Sequence, residues 1–246
     1  MCTLVFAWQV FAETPLAVAA NRDEATDRPS EPPTVRDTDP AILAPRDGSA
    51  GGTWIGYNEH GVLAAITNRW LDDPPSAERS RGLLVRDVLD TVSAEDGARL
   101  VERELRATDY DGFNLVVADE NAAIYLEWDG SLRVRTLEPG VHVVVNVGAD
   151  GRYRIPEHRA EAGHEQAENA DALRSILQPE PGESGDVWLD RAAETIADHE
   201  YGVCVHGDGF GTRSSSLLAL GDEKREYWYA DGPPCGTEYE RVEGQV

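Results

Sequence analysis

Apolar residues come in strand-length blocks at both ends of the chain and in its middle, with helical spacing taking over in two intervening stretches. Residues 3–11 (TLVFAWQVF) are apolar on both faces, and Leu16 to Ala20 repeat the pattern after a turn at Ala12-Glu13-Thr14-Pro15. Such a pair predicts a hairpin buried on both sides, as in the middle of a covered sheet. Residues 21–50, rich in Pro, Asp and Arg, read as loop. A strand over 51–57, a turn at Asn58-Glu59-His60-Gly61 and a returning strand over 62–67 follow. Ser80 predicts the cap of a helix over 82–91. Ser93 with Asp96 predicts a capping box for a second helix over 94–107. Strands are expected at 113–118, 122–128, 132–137 and 141–147, with Asp129-Gly130 as a hairpin turn. Helical spacing returns at 159–177 and 187–199. Strands at 203–206, 212–220 and 226–230 close the pattern, and residues from about 232 read as a loose tail. This order predicts an α+β chain of two mainly antiparallel sheets with helices outside. No repeat or linker divides it, so a single domain over residues 1–246 is expected.

Charge narrows the function. Asp+Glu total 46 against 22 Lys+Arg, the formal net charge is -24, and Lys224 is the single lysine. Nucleic acid and anionic membrane surfaces both require clustered cations, so neither is an expected partner. The acidic residues are spread along the whole chain, which fits a halophilic protein from a salt-rich cytoplasm. At molar salt the Debye length falls to roughly 3 Å and dense carboxylates repel one another less. Residues 1–20 superficially resemble a signal peptide, but no cation precedes Arg22, and Glu13 and Pro15 interrupt the apolar run. No apolar stretch reaches the roughly 18 residues of a membrane span. A cytoplasmic protein without membrane insertion is expected. The 3 cysteines include no CxxC pair, and the 6 histidines no HExxH. Neither a disulfide framework, a metal site nor a bound cofactor is therefore expected.

The candidate chemistry starts at Cys2. A small second residue allows Met1 to be trimmed, which would place a thiol and a free α-amine on one residue. With reference pKa values of about 7.7–8.0 for the amine and about 8.5 for the thiol, nucleophile and general base coincide. Asn21-Arg22-Asp23-Glu24 follows the second apolar block, and a hairpin would bring it toward Cys2. An arginine there favours thiolate, and an aspartate can hold the amine or orient the arginine. Asn68 and Asn146 each stand at the end of an apolar strand, where two neutral NH2 donors would suit an oxyanion hole. Gly211-Thr212-Arg213-Ser214-Ser215-Ser216 adds a cation and hydroxyls at a strand start.

Together these segments resemble a known family. Met1-Cys2, Asn21-Arg22-Asp23-Glu24 with Arg28-Pro29, Gly51-Gly52-Thr53-Trp54-Ile55-Gly56, Thr67-Asn68, Gly112-Phe113-Asn114-Leu115 and Gly211-Thr212-Arg213-Ser214-Ser215 resemble the NRDE family, also called the transport and Golgi organisation 2 family. More distantly the layout is similar to the cysteine N-terminal-nucleophile (Ntn) amidases, such as penicillin V acylases and conjugated bile acid hydrolases. That resemblance implies a four-layer αββα sandwich. It also implies catalytic roles for Cys2, Arg22, Asp23, Asn68, Asn146 and Arg213, although Arg22 and Asp23 are adjacent here and the amidases space that pair more widely. The implied reaction is hydrolysis of a small-molecule substrate, a non-peptide amide or thioester, through an acyl-enzyme. The alternative is a non-enzymatic protein that handles haem or an acyl lipid on the same fold, with Cys2 or a histidine such as His206 as haem ligand.

Overall fold

The computed structural model describes residues 2–36, 39–222 and 224–246. The chain divides into two compact units. The first takes Met1–Arg28 and Pro139–Val242, and the second takes Pro29–Glu138 with Glu243–Val246. In sequence, nearly all of the second unit is inserted between two strands of the first.

The first unit is built on β1 (Cys2–Trp8), β2 (Leu16–Ala25), β10 (Gly140–Val145), β11 (Gly148–Ala149), β12 (Arg152–Tyr153), β13 (Phe210–Leu220), β14 (Arg225–Ala230) and β15 (Glu240–Arg241). They form an eight-stranded sheet in the order β12-β11-β10-β1-β2-β13-β14-β15. Helix α3 (Ala160–Ile176) packs on β10, and α4 (Gly185–Ala197) packs on β2 and β13. Every residue of β1 from Thr3 to Trp8 is buried, as its unbroken apolar run predicts. Trp188 of α4 is fully buried, and its ring nitrogen donates to the Leu177 carbonyl at 2.8 Å, which satisfies its one polar atom.

The second unit is a meander. Strands β3 (Ser30–Arg36), β4 (Ile42–Asp47), β5 (Ile55–Asn58), β6 (Leu63–Asn68), β7 (Phe113–Ala118), β8 (Ala123–Trp128) and β9 (Leu132–Thr136) pair in sequence order. Helices α1 (Arg81–Leu89) and α2 (Ala94–Glu104) cover this sheet. Leu84, Val85, Val88 and Leu89 of α1 meet Ala64, Leu115 and Val117 of the strands in one core cluster. Each fully buried aliphatic side chain there contributes about 1.5–3 kcal/mol of transfer free energy. Both helix starts are capped as their sequence predicts: Ser80 Oγ accepts from Gly82 N, and Ser93 Oγ accepts from Asp96 N.

The expected α+β architecture with antiparallel sheets is present, and every strand pair recorded is antiparallel. Three local expectations need correction. Residues 21–50 are not loop, because β2 continues to Ala25 and two further strands follow. Pro32 and Pro33 are tolerated since β3 is an edge strand whose register slips between Glu31 and Thr34. Residues 203–206 form no strand; His206 makes a single bridge to Gly211. The first strand stops at Trp8, where Gln9 turns the chain with φ 54°. Among the described residues no helix is long and apolar enough to cross a membrane.

The Gly51-Gly52 pair has two separate causes. Gly51 adopts φ 77°, a left-handed conformation that L side chains resist. At Gly52 an added Cβ would collide with the backbone of Gly82 and Leu83 at the start of α1. The adjacent amide, Thr53 N, donates to Gly82 O at 3.0 Å, so the helix cannot retreat without losing that bond. Gly52→Ala is therefore expected to cost about 1–3 kcal/mol of stability, read as a lower midpoint in urea denaturation.

Candidate active site

The site is set by the pairing of β1 and β2, which places Cys2 directly opposite Arg22 and Thr3 opposite Asn21. Side chains of paired residues share a face, so Cys2 and Arg22 lie on one side of the sheet and Thr3 and Asn21 on the other. Asn21 is fixed on the helix side: its Nδ2 donates to the carbonyls of Ile196 and Val203, both at 2.9 Å, and Ser215 Oγ donates to its Oδ1 at 2.7 Å. Asp23 alternates back to that side and accepts from Thr212 Oγ1 at 2.6 Å. The adjacency of Arg22 and Asp23 thus becomes a division of labour. The cation pairs opposite the thiol, and the carboxylate is anchored by Thr212 of β13.

Cys2 itself makes two polar contacts. Its backbone N donates to Asn146 Oδ1 at 3.0 Å, and its Sγ lies 3.6 Å from the Asp23 carbonyl as donor. Asn146, just beyond β10, is held from a second direction by Gln166 of α3, whose Nε2 donates to the same Oδ1 at 3.0 Å. With Oδ1 turned to these two donors, the NH2 edge of Asn146 is its donating side. Burial pushes the Cys2 thiol above its ordinary value, the nearby Asp23 carboxylate adds to that, and the Arg22 guanidinium opposes it. Burial likewise raises the Asp23 carboxyl, against the hydrogen bond from Thr212.

Arg213 stands where β13 slips register: Thr212 pairs with Asp23 and Ser214 with Arg22, leaving Arg213 as the extra residue. Four expected site residues, Cys2, Arg22, Asp23 and Asn146, are therefore gathered by direct contact or register, and Arg213 lies one residue from the partners of two of them. Asn68 belongs to the second unit, exposed at the end of β6 opposite Phe113. Met1, and with it the expectation that it is removed, lies outside the described residues.

Three supporting residues were not singled out by the sequence reading. Gln166 is buried beside Ala167, Ala170 and Leu173 on the inward face of α3, and Thr212 and Asn21 act by holding Asp23 and β2. In the second unit, Asn114 centres a buried polar group. Its Oδ1 accepts from Arg69 at 2.9 Å and from the Tyr125 hydroxyl at 2.7 Å, while its Nδ2 donates to Thr67 Oγ1 at 3.1 Å. Arg69, with a fully buried side chain, also pairs with Glu127 at 3.3 Å. The Gly-Phe-Asn and Thr-Asn segments of the sequence meet in this cluster.

The fold is shared with solved acylases. The chain is similar to penicillin V acylase from Agrobacterium tumefaciens at 13% identity and a TM-score of 0.56, over 94% of this chain and 83% of that one. It is similar to the N-acylethanolamine-hydrolyzing acid amidase ortholog of Caenorhabditis elegans at 14% identity and a TM-score of 0.58, over 90% of this chain and 94% of that one. At such identities the likeness establishes the fold, which is that of the Ntn hydrolases. Closer in sequence is the Transport and Golgi organization protein 2 homolog of Homo sapiens, 29% identical over 226 residues that cover 83% of this chain and 82% of that protein. The family model for Transport and Golgi organisation 2 matches residues 1–230, and the chain belongs to that family.

The charges around the thiol lead to a paired prediction. Asp23→Asn removes a negative charge that disfavours thiolate, so the pH midpoint of Cys2 alkylation moves down. Arg22→Met removes a cation that favours it, so the midpoint moves up. Iodoacetamide labelling rates across pH, followed on the Cys2 peptide by mass spectrometry, give both signs. Asn21 makes a separate, structural prediction. Asn21→Leu strands the carbonyls of Ile196 and Val203 and should lower stability by about 2–3 kcal/mol, measured by thermal denaturation.

Proposed function

We propose that this protein is an N-terminal-cysteine hydrolase that cleaves a non-peptide amide or a thioester of a small molecule through an acyl-enzyme. The reading is carried by one observation: the backbone nitrogen of Cys2 donates to Asn146 Oδ1 at 3.0 Å, while Cys2 pairs directly with Arg22 on the neighbouring strand β2, which also bears Asp23. Removal of Met1 turns that nitrogen into an α-amine already oriented by Asn146. The amine takes the thiol proton, and the sulfur attacks the substrate carbonyl carbon to form a C–S bond. The NH2 group of Asn146 receives the oxyanion. Collapse breaks the C–N or C–S bond to the leaving group, which takes the proton from the amine. Water, activated by the same amine, then releases the acid and restores the thiol. Arg22 supports the thiolate, Asp23 fixes the strand beside it, and Arg213 lines the site. The resemblance to acylases supports the reaction class, and the acidic composition supports work in a salt-rich cytoplasm.

The test combines intact mass with turnover. The purified chain is expected to lack the mass of Met1 and to react with a thiol-directed acyl probe at Cys2. A panel of acyl amides and acyl thioesters is expected to contain a substrate. Cys2→Ala should abolish both labelling and turnover, and Asn146→Ala should lower kcat by about 10²–10³. Retention of Met1, or equal acyl labelling of Cys2→Ala, would sink the assignment.

A further inference from the structure

The sequence contains 3 cysteines and 6 histidines, and their spacing gave no reason to expect a metal centre. The fold nonetheless brings two of each to one point. The side-chain ligand atoms of His199, Cys204, His206 and Cys235 all lie within 4.8 Å of one another. His206 Nε2 is 3.6 Å from Cys204 Sγ and 3.2 Å from Cys235 Sγ. The rings of His199 and His206 meet edge to face, with centroids 5.1 Å apart at 86°. A tetrahedral zinc ion, with Zn–S of about 2.3 Å and Zn–N of about 2.0–2.1 Å, holds its ligand atoms about 3.4–3.8 Å apart. The observed separations bracket that range.

The chemistry of the four ligands is selective. The chain has 46 carboxylate side chains, yet none belongs to this group. Two imidazoles with two thiols suit zinc, whereas calcium and magnesium prefer oxygen. We propose that His199, Cys204, His206 and Cys235 form a structural zinc site that ties the 199–206 segment to the C-terminal tail. Binding exchanges the two thiol protons for the cation, leaving a neutral centre of one Zn²⁺ and two thiolates. The three segments joined are the single turn of 3-10 helix at His199–Tyr201, the irregular stretch through Cys204 and His206, and the turn after β14 that carries Cys235.

The site also bears on the active site through the backbone. Cys204 sits between Val203, whose carbonyl receives Asn21, and Val205, which clasps Thr212 in both directions at 2.8 Å. Thr212 in turn donates to Asp23 at 2.6 Å. The zinc thus braces the residues that hold β2 behind Cys2. These positions are independent of the proposed hydrolase reaction, and the inference stands or falls without it.

Elemental analysis of the untagged full chain tests it. About one zinc per chain is expected after purification or after refolding with zinc. Cys204→Ser and Cys235→Ser should each reduce this at least tenfold, whereas Cys2→Ala should keep it. Cys235 is exposed, so its variant is the one expected to fold normally, as checked by circular dichroism. Cobalt substitution should give the thiolate charge-transfer and intense visible bands of tetrahedral Co(II), lost in both variants. Zinc well below stoichiometry in the wild type would overturn the site. So would zinc retained in the cysteine variants or lost with Cys2, or a mass two hydrogens lower that shows a Cys204–Cys235 disulfide instead.

Discussion

The site depends on one constraint: the polar end of β2 is kept inside the sheet by neighbours on both sides. β1 pairs with it through Cys2 and Arg22, and β13 pairs with it through Asp23 and Thr212. Left at the rim, Asn21-Arg22-Asp23-Glu24 would be a solvated turn. Held between two strands, its side chains alternate between the face of the thiol and the face of the helices. Asn21, Arg22 and Asp23 are all buried, and burial of that kind is tolerated only with partners. Asn21 finds them in Ile196, Val203 and Ser215, and Asp23 finds one in Thr212.

This explains what the chain disclosed by itself and what it did not. The hairpin was readable because Thr3 to Trp8 and Leu16 to Ala20 are apolar on both faces. The helix starts were readable because Ser80 and Ser93 act within three residues. The tetrad was assigned to the exit of the strand, since polar residues after an apolar run normally mark one. The bond that keeps it in the sheet, Thr212 to Asp23, joins residues 189 apart. Pro32-Pro33 hid β3 for a related reason: an edge strand leaves one row of amides unpaired, so proline does no harm there.

The same distinction separates the site residues. Cys2 and Asn146 could be named from position, one at the chain start and one at a strand end. Gln166 could not, because a glutamine on an acidic helix has the signature of a surface residue until the helix is laid on β10. The His and Cys group escaped notice because its ligands come from segments up to 36 residues apart and include no familiar short spacing. Arg213 was readable as a cation at a strand start, and its significance in the structure is the register slip it occupies.

The insertion of the second unit between β2 and β10 sets an order of events during synthesis. Cys2 is the first of the site residues to leave the ribosome, but Asn146 follows 144 residues later and Thr212 later still. The meander of the second unit pairs only sequence neighbours and can close as it emerges, whereas β1 must wait for β10 and β2 for β13. The cysteine therefore passes most of translation without the groups that orient it. Its chemistry is withheld until the last third of the chain has been made, a form of timing written into the connectivity.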